Sequence, residues 1–100
     1  MAEKRAHEYQ ITVKQVKDIK GEPVNDRQLE LIFKNHDDVF NIMNMLTEKG
    51  LFATQEDARQ FVLGLKLFGE VMIRNKQMAL FSEMQPAFMS FMQKLKGQVK

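Results

Sequence analysis

A chain of 100 residues with 15 Lys and Arg against 13 Asp and Glu carries a net charge of only +2, and 44% of it is hydrophobic. That length suits one domain with a modest core, and a charged share of 28% is globular rather than disordered. The lack of cysteine excludes a disulfide framework, a thiol nucleophile and a cysteine metal site, and no basic block is present to steer nucleic acid.

The expectation is therefore a single domain over residues 1–100, with 1–6 and 97–100 fraying. Met1-Ala2-Glu3-Lys4-Arg5 is charged, and no apolar run of signal-peptide length follows it. Nowhere do about 18 consecutive apolar residues occur, so no membrane span is expected and the cytoplasm is the default compartment.

Tyr9, Ile11 and Val13 alternate with Gln10, Thr12 and Lys14, the period of a strand, until Val16 breaks the phase. Lys20-Gly21-Glu22-Pro23 supplies a turn. A second alternation puts Leu29, Leu31 and Phe33 on one face and Gln28, Glu30 and Lys34 on the other. Two such runs predict an antiparallel hairpin with a long loop; Ile32 falls on its wrong face, as it would under a terminus or at a subunit contact. A lone hairpin is marginal in water and needs further packing.

Asn35-His36-Asp37-Asp38 reads as a helix start, with an Asn or Asp cap and early acids at the positive end of the helix dipole. Val39, Ile42, Met43 and Leu46 form its stripe, Phe40 lies at the edge, and Gly50 ends it in a C′ position with Leu51 folding back. Thr54 caps the next helix, with Asp57 in the capping-box position.

This second helix is the centre of the reading. At 100° per residue, Phe61, Val62, Leu65, Phe68, Met72 and Ile73 fall within an arc of about 140°. Leu63, Leu67 and Val71 recur on the opposite side, so neighbours are expected on two sides. Gly64 and Gly69 each cost about 1 kcal/mol against Ala inside a helix, which predicts close approach of another element at each. Asn75-Lys76-Gln77 ends the helix. A last helix lies between Leu80 and Lys96, with Ser82 or Gln85 as cap and Pro86 in its first turn. Phe81, Met84, Ala87, Phe88, Phe91, Met92 and Leu95 share one face, and Met89 lies off it. The fold class is α+β: an N-terminal antiparallel β-hairpin followed by three α-helices.

Tyr9-Gln10-Ile11-Thr12-Val13, Asn35-His36-Asp37-Asp38, the string from Gly64 to Val71, and Pro86-Ala87-Phe88 resemble a family of short bacterial proteins known only as a domain of unknown function. The resemblance covers roughly residues 7–97. It implies a bacterial source and a stand-alone protein, and it brings no activity, cofactor or catalytic residue with it.

Function must then be read from the residues. His36 beside Asp37 and Asp38 is the one constellation with acid–base or metal-binding character, with Tyr9 within reach. Consecutive residues entering a helix diverge, however, so a cap with a first-turn acidic pair is the reading preferred over a small enzyme or ligand site. Ser82 and Ser90 lack a nucleophile-elbow context, so no catalytic residue, metal or cofactor is assigned. Lys94, Lys96 and Lys100 could meet nucleic acid, but the phenylalanines available for stacking lie on the core stripe, and the lysines complement a helix C-terminus.

The methionines carry more. Of eight, Met72, Met78, Met84, Met89 and Met92 lie in the last 30 residues, and Met suits surfaces that accept varied partners. Leu63, Leu67, Val71 and Met89 fall off the primary faces and are the candidate interaction surface. The expected function is a non-enzymatic protein-interaction module, a homodimer or small adaptor, whose partner is protein rather than membrane or nucleic acid.

Overall fold

A computed structural model describes residues 5–99, and they fall into two compact units, a hairpin unit ending at Asp37 and a helical unit beginning at Asp38. The expected fraying at Met1 to Lys4 and at Lys100 lies outside the described residues.

The hairpin pairs β1 (His7–Lys14) with β2 (Gln28–Asn35), antiparallel. The register places Tyr9 opposite Phe33, Ile11 opposite Leu31 and Val13 opposite Leu29, so the two predicted apolar rows share one face. Tyr9 and Phe33 stack with ring centroids 5.1 Å apart, and Glu8 stands opposite Lys34 with an ion pair of 3.8 Å on the other face. Ile32 sits on that polar face opposite Gln10, and is exposed.

Pairing does not stop where the alternation breaks. Val24 N–H donates to the Val16 carbonyl, Lys17 bridges Pro23, and Gln15 N–H donates to the Arg27 carbonyl. Asn25 and Asp26 are therefore extra on the returning strand, and this bulge absorbs the phase change read at Val16. The tip is held by Asp18, whose carboxylate accepts from the Lys20 and Glu22 N–H groups at 2.9 Å each, while Gly21 takes φ +84°.

In the helical unit, α1 (Val39–Glu48) begins at the cap Asp38, whose side chain accepts the Asn41 N–H at 3.2 Å. The helix starts after both acids, so Asp37 and Asp38 form no first-turn pair. The α1 end is a Schellman motif: Gly50 N–H donates to the Thr47 carbonyl, Leu51 N–H to the Leu46 carbonyl, and Gly50 takes φ +69°.

Helix α2 (Gln55–Arg74) begins at Thr54, whose hydroxyl accepts the Asp57 N–H at 3.1 Å, and ends at Asn75 as expected. Its most buried residues are Ala58, Val62, Gly69 and Met72, with Leu65 half-buried between them, a 4-3-4-3 spacing along one line. The predicted arc is right at its centre and wrong at its edges. Val62 and Met72 are 1% and 2% exposed, whereas Phe68 and Ile73, the two extremes of the arc, are exposed.

The chain then makes a short α3 (Ala79–Ser82) and α4 (Met84–Gln98). Where one long region was expected to hold a single helix, there are two pieces joined at Glu83. Neither Ser82 nor Gln85 caps α4: the Ser82 hydroxyl donates to the Ala79 carbonyl, and the Gln85 amide donates to the Lys76 carbonyl. Glu83 already has helical angles, φ −79° and ψ −29°, so no extended residue exists there to act as a cap. Pro86 lies in the first turn of α4, and Gly97 and Gln98 form its last turn rather than a tail.

Helix α4 runs antiparallel to α2. Phe61 meets Phe91 with centroids 6.1 Å apart, Phe68 meets Phe88 at 6.0 Å, and Lys76 meets Gln85. Gly69 is a point of close approach, since a Cβ there would lie 3.2 Å from the Phe88 ring. Gly64 is the correction: nothing lies within 4 Å of a Cβ built on it, so only Gly69 marks a close approach. With α1 packed on α2 and Phe81 of α3 edge-on to Phe68, α2 is the centre of the helical unit.

Three glycine variants test this account by urea denaturation. Gly64→Ala should raise stability by up to about 1 kcal/mol, the helix-propensity difference. Gly50→Ala should lower it by roughly 1–2 kcal/mol through the left-handed backbone. Gly69→Leu should lower it by more than about 1 kcal/mol through overpacking against Phe88.

Candidate interaction surface

The polar constellation is a turn that holds the chain between strand and helix. Asn35 is buried, and its side-chain oxygen accepts the Asp37 N–H at 2.9 Å, an Asx turn. The Tyr9 hydroxyl reaches the same residue, donating to the Asp37 carbonyl at 3.0 Å. Tyr9 is thus beside His36-Asp37-Asp38, as the sequence suggested, but its hydroxyl meets main chain. Asp38 is engaged as the α1 cap, and His36 is exposed. The other histidine, His7, stands opposite Asn35 with its ring 6.0 Å from that of Tyr9. Among the described residues, no three His, Asp or Glu side chains group so as to hold a metal ion. Nor is any described helix long and apolar enough to cross a membrane.

The apolar residues give the helical unit its most distinctive surface. Helix α4 has no buried residue at all, although it lies along α2. Its half-buried positions, Gln85, Phe88, Met92 and Leu95, follow one 3-4-3 line, and both flanks are open. Of the four candidate contact residues, Leu63 and Leu67 are half-buried on α2, while Val71 and Met89 are 43% and 65% exposed.

Met89 is not grouped with the other three. It lines a groove of about 430 Å³ whose facing wall is Met72 and Ile73 of α2 and Lys76 of the turn that follows it. Phe88 and Met92 complete the apolar floor, and Lys96 is a second cation along it. Two glutamines, Gln85 and Gln93, supply further polar lining, and no carboxylate among the described residues lines it. Ile73, like Phe68, was misplaced by sequence reasoning, for it is 59% exposed at the groove edge rather than in the core. Its position at the extreme of the helical arc was the available signal.

A smaller hollow of about 230 Å³ lies on the other flank of α4, lined by Leu51, Phe52, Phe61, Phe91, Lys94 and their neighbours. Lys94 and Lys96 therefore line different hollows and do not make one cationic track.

The strings that carried the family resemblance lie within β1, in the Asn35–Asp38 turn, in the second half of α2, and at the start of α4, where Phe88 meets Gly69. The sequence profile of a family described as a domain of unknown function with a solved structure, DUF3861, matches residues 7–97. A crystal structure of a protein of unknown function from Pectobacterium atrosepticum is similar over 93% of this chain and 99% of its own, at 35% sequence identity and a TM-score of 0.79. No curated protein matches the chain.

If the turn is a structural device, its residues should affect stability unequally. Asp38→Ala should lower stability by about 1 kcal/mol through loss of the cap, and Tyr9→Phe by about 1 kcal/mol through loss of one hydrogen bond. His36→Ala should stay within about 0.5 kcal/mol of the parent in the same denaturation experiment.

Proposed function

This chain belongs to the DUF3861 family, and we propose that it is a non-catalytic protein-interaction module that self-associates and presents an apolar groove to a protein target. The observation that carries this reading is apolar surface left over on both sides of the α2–α4 pair. Val71 is exposed on one flank of α2, and Ile73 and Met89 are exposed on the groove side. Solvated apolar side chains scattered singly need no explanation, but Phe68, Val71, Ile73, Met89 and Phe91 on one helix pair support its reading as a contact surface. Methionine supports the same reading, because its flexible thioether adapts to differently shaped partners.

Self-association is assigned to the flank of α2 that carries Leu63, Leu67 and Val71. Two such flanks can meet about a two-fold axis, each copy presenting the same apolar row to the other. Val71 is the residue to change, because its exposure leaves the fold least affected. The solution mass, measured by size-exclusion chromatography with light scattering at several concentrations, should lie near twice 11.7 kDa. Val71→Glu should shift it to one chain with the helical circular dichroism unchanged. A wild-type chain that stays monomeric at every concentration removes the self-association half of the reading.

A further inference from the structure

The geometry points to an occupant for the α2–α4 groove: an amphipathic helix of a partner protein whose apolar stripe is flanked by carboxylates. The inference rests on the interaction-module reading above and adds the chemistry of the target.

Three features select this occupant. The first is charge. Lys76 and Lys96 line the groove, no carboxylate does, and neither lysine forms an ion pair among the described residues. An apolar floor with cations and no acid favours an anionic partner over a neutral or cationic one. A second copy laid groove to groove would bring lysines against lysines.

The second feature is length. Along α4 the groove extends from Gln85 to Lys96, which at 1.5 Å per residue is about 16 Å, or three helical turns. Gln85 is bonded to Lys76, so one lysine stands near each end of the floor. A helix presenting apolar side chains at i, i+3, i+4 and i+7 spans about 10 Å of that floor and leaves its flanking carboxylates within reach of the lysines.

The third is openness. Ile73 and Met89 remain more than half exposed at the groove edge. An enclosed small-molecule site would bury most of its ligand, whereas a shallow groove lined by Met72, Met89 and Met92 offers a face on which a helix can lie.

The test uses the full chain and two fluorescently labelled synthetic helical peptides, of about four turns each. Both have leucine at alternating third and fourth positions; one carries glutamate on its flanks and the other lysine. Fluorescence anisotropy should show the glutamate peptide binding at least tenfold more tightly than the lysine peptide, with the difference shrinking as salt rises. The charge-reversed double variant K76E/K96E should invert the preference, and Met89→Glu should abolish binding of the glutamate peptide. Circular dichroism of each variant checks that the fold is kept.

Equal binding of both peptides, or a K76E/K96E variant with unchanged preference, overturns the proposal. A dimer that Met89→Glu dissociates also overturns it, because the groove is then covered by a second copy. A dimer that Val71→Glu dissociates, with neither peptide binding, ends this proposal and leaves self-association standing. A monomer that binds neither peptide ends both.

Discussion

The helical unit depends on a single line of residues along α2. Ala58, Val62, Leu65, Gly69 and Met72 step by four and three, so they stay on one side of a helix with 3.6 residues per turn. Gly69 is the point in that line where the absence of a side chain is used. The Phe88 ring lies where a Cβ would crowd it, and the approach of α4 to α2 is set there. Once that contact is made, α4 can bury only one narrow edge. The rest of its methionines and phenylalanines are left on the flanks, and the grooves on either side of α4 follow from this placement.

The polar residues from Asn35 to Asp38 do a different job. A strand ending and a helix beginning within a few residues leave main-chain N–H and carbonyl groups that need partners. Asn35, Tyr9 and Asp38 supply them. A His beside two Asp has the composition of an active site, but geometry separates composition from chemistry. Here one carboxylate caps a helix, and the nearest hydroxyl is spent on a carbonyl.

The proposed function rests on apolar surface, much of it lined by methionine. The groove is floored by flexible side chains, is open along one side, and has lysines toward its ends. Such a surface gains affinity from area and methionine plasticity and gains selectivity from charge at its ends. The opposite flank of α2 carries Leu63, Leu67 and Val71, the row proposed to meet its own copy. A dimer formed there would leave each groove available.

The sequence by itself determined the strands, the end of α1 and the start of α2, because these follow from neighbours in the chain, but not the break of the last helical region at Glu83. Alternation in Tyr9-Ile11-Val13 and Leu29-Leu31-Phe33 placed the strands, Gly50 ended α1, and Thr54 began α2. Periodicity also found the centre of the buried α2 face. The tertiary structure decided what periodicity cannot, namely how wide that face is and what lies against it. Phe68 and Ile73 sit at the edges of the same arc as Val62, and only the placement of α4 leaves them exposed. The two glycines of α2 are alike in sequence, yet Phe88 arrives at Gly69 and nothing arrives at Gly64. Met89 joins Ile73 in one groove although 16 positions separate them, because an antiparallel return of the chain depends on packing and not on spacing.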